Sequence, residues 1–177
     1  MAQQHVAFLR AVNVGKRRVE MAKLKAVLED LGLDDVWTHI NSGNAAFRSA
    51  KRSTTLEPLI EERLEEQFGF VVETFVRTGA HVVEISEREP FGDLPDGHTH
   101  LVALVRSEPS AAEAKAIEAL SGSQDELVVI GSEVHWHIAG KTMDTALKPK
   151  DWKGAGAALN TTRNITMLRK LAAKLDA

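Results

Sequence analysis

Four of the seven histidines fall in two alternating pairs: His98 and His100 bracket Thr99, and His135 and His137 bracket Trp136. On a β-strand, residues two apart point to one face. If the two strands are antiparallel neighbours, the start of one lies near the end of the other and the four imidazoles could converge. Imidazole clusters bind zinc, nickel or copper. Polar side chains on an exposed sheet face are the more ordinary reading, and the residues alone specify neither register nor face. No metal site and no cofactor is assigned on this basis.

Three further segments carry asparagine beside groups suited to an anion. In Asn13-Val14-Gly15-Lys16-Arg17-Arg18 a strand gives way to a helix, and such a loop can present backbone N–H groups and cations to a negative charge. It has one glycine and no Gly-Lys-Ser/Thr ending, so it is not a Walker A loop; a solvated basic loop turning on Gly15 is the competing reading. Asn41-Ser42-Gly43-Asn44 has the residues of a hairpin turn, with Gly43 free to take positive φ. Asn160-Thr161-Thr162-Arg163-Asn164 reads as a helix start capped by Thr161 or Thr162. There Arg163 is a cation where the helix dipole disfavours one, which an acid or anionic ligand would explain.

Known catalytic signatures are missing. The chain has no Gly-x-Ser-x-Gly elbow, no His-Glu-x-x-His, no Gly-x-Gly-x-x-Gly after a strand and no cysteine. Disulfides and thiolate metal sites are therefore excluded, and a reducing compartment is permitted. Glu61, Glu62, Glu65 and Glu66 read as a solvated helix face. With 22 basic and 25 acidic residues and a net charge of −3, no global field attracts nucleic acid or anionic lipid. Nine aromatic residues, three Trp and six Phe, leave little for base stacking. Nothing approaches the ~20 apolar residues of a membrane span, and Met1 to His5 lacks a leader pattern. The cytoplasm is the expected location.

The elements that must position these groups follow a β-α-β-β-α pattern. Residues 6–12 are apolar apart from Arg10, as in a strand buried on both faces. Met21, Leu24, Val27, Leu28 and Leu31 form a helical stripe ended by Gly32. Residues 36–40 and 45–48 read as strands. Ser53, Thr54 or Thr55 would cap a helix striped by Leu59, Ile60, Leu64 and Phe68 and closed by Gly69. Residues 70–76 make a fourth strand, completing the order of a ferredoxin-like unit. The second half predicts a helix to Glu89, a turn-rich connector over 91–97, and a strand over 100–105. A helix over 109–120 opens near Ser107 or Glu108, and a hairpin joins 127–130 to 134–138. Last comes a helix striped by Ile165, Leu168, Leu171 and Leu175. Residues 141–159 resist assignment beyond a short helix near 144–147. The expected class is α+β, with two ferredoxin-like subdomains in tandem over 1–78 and 79–177.

Taken in order, Leu9-Arg10-Ala11-Val12-Asn13-Val14-Gly15, Met21-Ala22-Lys23-Leu24, Leu31-Gly32-Leu33-Asp34-Asp35-Val36, Ile40-Asn41-Ser42-Gly43-Asn44, Arg63-Leu64-Glu65-Glu66-Gln67-Phe68-Gly69-Phe70 and Thr161-Thr162-Arg163-Asn164 resemble one bacterial family of uncharacterised proteins, domain of unknown function 1697. The resemblance spans essentially the whole chain. It implies two ferredoxin-like subdomains and no established activity. The family usually has glycine where Ala11 stands, a second glycine near Gly15, glutamine at Asn41, Ser-Lys-Leu near Thr145-Ala146-Leu147, and often tryptophan at Ile165.

Together these readings point to a module binding a small molecule or anion, with no catalytic residue assigned. Its site would draw on Asn13, Gly15, Lys16, Asn41, Ser42, Asn44, Thr162, Arg163 and Asn164, with Lys16 and Arg163 holding anionic groups. The alternatives are a nucleic-acid-binding ferredoxin-like protein using Phe8 and Phe47, and a protein-interaction module using sheet edges. Oligomeric state is open.

Overall fold

The computed structural model describes residues 1–40 and 43–175, with mixed α and β structure in two four-stranded antiparallel sheets. The chain divides into two compact units, Met1–Glu84 with Lys170–Ala177, and Ile85–Arg169. No helix among the described residues is long and apolar enough to cross a membrane.

The first unit runs β1 (Gln3–Leu9), α1 (Met21–Asp30), β2 (Asp34–Thr38), β3 (Asn44–Ser49), α2 (Ser53–Phe68) and β4 (Thr74–Thr78). Its sheet order is β2-β3-β1-β4. Alternation along β1 sends Ala7 and Leu9 into a core with Phe47 of β3, Leu24 and Leu28 of α1, and Leu56, Ile60 and Leu64 of α2. Both helices end as their glycines predict: Gly32 at φ +73° and Gly69 at φ +76°. The predicted Ser/Thr cap of α2 does not form. Arg52 holds the N-cap position without a side-chain bond, and Ser53 Oγ lies 3.5 Å from His5 Nδ1 instead.

Glu61 is not merely a solvated residue, contrary to its helix-face pattern. It accepts the Thr74 N–H at 2.8 Å, and Glu57 accepts that of Val76 at 2.9 Å. Four residues of helix rise about 6 Å and two of strand about 7 Å, so successive carboxylates on α2 meet alternate N–H groups of β4, the last strand of the sheet. In this way the helix closes an edge that would otherwise present free donors. Glu118 repeats the device in the second unit, accepting Val129 N–H at 2.9 Å.

That unit runs β5 (Thr99–Val105), α4 (Ala111–Glu118), β6 (Asp125–Ile130), β7 (Glu133–Ile138), α5 (Pro149–Gly154) and β8 (Asn160–Asn164). Helix α3 (Gly79–Glu87) precedes β5, and α6 (Ile165–Ala172) follows β8. The order β6-β7-β5-β8 matches that of the first sheet. Ser110, not Ser107 or Glu108, caps α4, in a capping box with Glu113. The largest correction is β8. Residues 160–164 are a strand paired with β5, with Ala103 opposite Thr162 and Val102 opposite Arg163. The helix begins only at Ile165. Asn164 performs the capping, its Oδ1 accepting the Thr166 N–H at 2.8 Å.

Where β1 ends, the backbone of the first unit is strained. Ala11, Asn13 and Ile40 take φ of +51°, +58° and +50°. For an L-residue the left-handed region costs roughly 1–2 kcal/mol, which explains why glycine suits position 11. Gly43 is required on two counts. It sits at φ +76°, and a Cβ there would lie 2.5 Å from Val12 Cγ2 and 2.9 Å from Leu9 Cβ. Substitutions at these neighbouring positions should act in opposite directions. Ala11→Gly is expected to raise unfolding stability by up to about 1 kcal/mol, and Gly43→Ala to lower it by about 2 kcal/mol or more, both read from urea denaturation.

Candidate functional site

The end of β1, which leads into the first asparagine segment, lies beside Gly43 and Asn44 of the second. Phe8 faces Asn44 across the β1–β3 pair, and Leu9 N–H donates to Gly43 O at 2.8 Å. Asn41 and Ser42 lie outside the described residues. The 13–19 loop closes on itself: Asn13 Oδ1 accepts from Val19 N–H at 3.0 Å, and its Nδ2 donates back to Val19 O at 3.2 Å. Arg17 donates to Val71 O and its guanidinium lies 5.0 Å from the centre of the Phe70 ring. Gly15 turns at φ +56°, and Lys16 is exposed. Asn44 is buried and donates to His39 O at 3.1 Å. His39 is itself buried, with Lys174 Nζ 3.4 Å from its Nδ1. Burial, aided by the charges of Lys174 and Lys170, pushes its pKa down.

The third segment belongs to the second unit. Arg163, on a strand rather than in a helix first turn, donates to Thr161 Oγ1 at 2.8 Å and Thr162 O at 2.9 Å. The mismatch with a helix dipole is therefore absent. Burial pushes its guanidinium down to about 10, so it stays charged at neutral pH. Thr162 Oγ1 donates to Asn160 Oδ1 at 3.3 Å. Asn164 alone among these residues borders a cleft of about 260 Å³, together with His98, His100, Thr166 and Arg169.

That cleft opens beside the histidines. In the β5–β7 ladder Leu101 faces Trp136, His100 faces His137 and Val102 faces His135. Leu101, Ala103, Val134 and Trp136 turn to the hydrophobic core of this unit, so alternation puts His100, His135 and His137 on the other face. The imidazoles meet as two separate pairs. His98 Nδ1 lies 2.9 Å from His137 Nε2, and His100 Nε2 lies 2.9 Å from His135 Nδ1. Phe91 packs at 5.2 Å from His100 and 5.5 Å from His137, ring centre to ring centre.

Distances decide what these pairs are. Each pair has ring centres 5.2 Å apart, which is the N···N distance plus about 1.1 Å from nitrogen to centre in each ring. The lone pair of one ring thus meets the N–H of the other nearly head to head. A tetrahedral zinc with Zn–N of about 2.0–2.1 Å would hold its nitrogens about 3.3 Å apart. These are hydrogen bonds between imidazoles. Among the described residues no group of three or more His, Cys, Asp or Glu could hold a metal ion.

His135 is 0% exposed and its Nε2 has no partner among the described residues. Beside it Glu133, also fully buried, accepts from Arg88 Nη1 at 3.1 Å and Ser132 Oγ at 2.9 Å. Burial is the main reason that both central imidazoles resist protonation. It pushes His100 down to about 4, with the neighbouring His135, Arg169 and His137 adding to the effect. His135 also falls to about 4, through burial and Arg88, with Glu133 opposing. Sequence reasoning missed Arg169, Phe91 and Glu126, whose parts depend on tertiary placement. It noticed the histidines, because an alternating pair is a local signal, but did not assign them to the site.

The depressed values fix a sign. The unfolded chain binds these protons below about pH 6.5 and the folded one only near pH 4. Stability from keeping the pair neutral is complete above 6.5 and is lost as pH falls towards 4, by up to roughly 1.4 kcal/mol per pH unit for each group. Thermal unfolding between pH 7 and 4 should show this slope, and His100→Gln with His135→Gln should flatten it.

Comparison with known proteins agrees with the fold. A conserved bacterial protein from Streptococcus pneumoniae is similar over 99% of this chain and 99% of its own, with a TM-score of 0.80. At 21% identity the likeness is one of fold alone. No curated protein matches. The family model for proteins of unknown function, DUF1697, matches residues 2–135. The chain belongs to that family.

Proposed function

We propose that the protein is a cytoplasmic small-molecule-binding module made of two ferredoxin-like units in tandem, and that the cleft of the second unit takes the ligand. The tandem reading is supported by the shared β-α-β-β-α-β order and by the two sheets' matching strand sequence. The observation that carries the functional reading is the cleft itself. Within one space it combines the capped start of α6, Arg169 and two histidines.

A volume of about 260 Å³ falls just below the usual range for drug-sized ligands and fits a small polar metabolite. The helix start and Arg169 favour a carboxylate or phosphate at one end. Glu89 accepts from Arg169 Nη2 at 3.1 Å and Asp93 also borders the cleft, so the ligand needs donors as well. A group carrying both signs fits this lining better than a bare anion. Of the residues first considered, Asn164 stays in the site. Local hydrogen bonds account for Asn13, Asn44 and Arg163, and Lys16 is left to the basic loop. Nucleic acid is disfavoured because Phe8 and Phe47 are fully buried and offer no face to a base.

Ligand titration by NMR with small carboxylates, phosphates and amino acids tests the reading. Saturable shifts confined to residues near His98, His100, Asn164 and Arg169 are expected, weakened about tenfold by Arg169→Ala. Shifts centred on Asn13 and Lys16 would return the site to the first unit. No saturable shift anywhere would contradict a binding role.

A further inference from the structure

We propose that His98 is a general base, held with its Nε2 lone pair bare towards the cleft by a relay through His137 to Glu126. The inference rests on reading the cleft as the ligand site. It adds an acid–base activity to what would otherwise be binding.

The argument starts from the far end of the relay. Glu126 Oε2 lies 3.5 Å from His137 Nδ1. A lone pair on that nitrogen would stand beside a carboxylate oxygen, and that charge favours a proton of neutral His137 on Nδ1. His137 Nε2 then carries the lone pair, and it lies 2.9 Å from His98 Nδ1. A hydrogen bond there requires His98 to donate from Nδ1. Neutral His98 has a single ring proton, so its Nε2 is left as a bare acceptor. Unlike His100, whose Nε2 is occupied by His135, His98 Nε2 has no protein partner among the described residues. His98 is half-buried and borders the cleft.

A carboxylate orienting one imidazole and freeing a nitrogen on the next is the arrangement a general base needs. In the step itself, an acidic O–H or N–H bond of the bound molecule breaks, its electron pair stays on the molecule, and the proton forms an N–H bond at His98 Nε2. The resulting imidazolium keeps its Nδ1–H on His137 and later releases the new proton to solvent. The negative charge left on the molecule would lie beside the start of α6 and Arg169. The substrate class is a small molecule with an ionisable proton next to a carboxylate or phosphate. The charged and titratable groups around His98 are His137 on β7, Glu126 on β6, His100 on β5, Arg169 on α6, and Glu89 and Asp93 on the connector before β5. Glu126 and His137 are positioning residues.

Long-range proton–nitrogen correlation spectra of histidine-labelled protein near pH 7.5 read the tautomers without any ligand, so this test stands apart from the binding reading. The expected result is a proton on Nδ1 of both His137 and His98. Glu126→Lys puts a donor beside His137 Nδ1 and should reverse both tautomers, while Glu126→Ala should leave them averaged. The Glu126 side chain is 58% exposed, so neither change disturbs the core. Acylation by diethyl pyrocarbonate, mapped by mass spectrometry, should strike His98 several-fold faster in the native protein than in Glu126→Lys. A native His98 protonated on Nε2, tautomers unmoved by Glu126→Lys, or equal acylation rates would each overturn the proposal.

Discussion

Register between β5 and β7 is the constraint on which the second unit depends. Leu101 opposite Trp136 and His100 opposite His137 make one face of the ladder apolar and the other a row of ionisable groups. Because strand side chains alternate with a period of two, a slip of one residue would exchange the faces. The imidazoles would then enter the core that holds Trp136 and Ile138, and those apolar groups would take the histidines' place. Burial of Leu101, Ala103, Val134 and Trp136 therefore does more than stabilise the sheet. It puts His100, His135 and His137 on one face of the ladder, where the rings pair.

Once together, the imidazoles have few ways to be satisfied. Buried polar groups need partners, and the face supplies mostly one another. His100 and His135 pair head to head, and His98 and His137 do the same nearer the cleft. Next along β7, Glu133 is fully buried with Arg88 and Ser132 as its partners. The unpartnered His135 Nε2 is better accommodated as a lone pair than as an N–H. That favours His135 donating from Nδ1 to His100. In this row the carboxylates at Glu133 and Glu126 stand beside the two pairs, and solvent access increases towards His98.

Much of the scaffold was legible along the chain because its signals are local. Apolar residues at three- and four-residue spacing marked α1 and α2, and Gly32 and Gly69 marked their ends by needing positive φ. The 160–164 segment was not legible as a strand. Thr161, Thr162 and Asn164 are polar and look like caps, and what makes them a strand is the line of hydrogen-bonding groups on β5, far away in sequence. Glu61 was misread as part of a solvated face for a similar reason: nothing in it announces the β4 edge it helps close. For the site, the alternation of histidines showed that they could share a face. Their pairing needed the register, and Arg169 and Glu126 needed the fold.

The central claim is that sheet register closes neighbouring histidines into direct imidazole hydrogen bonds. A nitrogen–nitrogen scalar coupling across the bond, measured on protein labelled with ¹⁵N in its histidine rings, tests it without intermediaries. The account predicts a resolved coupling between His100 Nε2 and His135 Nδ1 at neutral pH, lost when either residue is replaced. No coupling, with both ring protons exchanging independently with water, would contradict it.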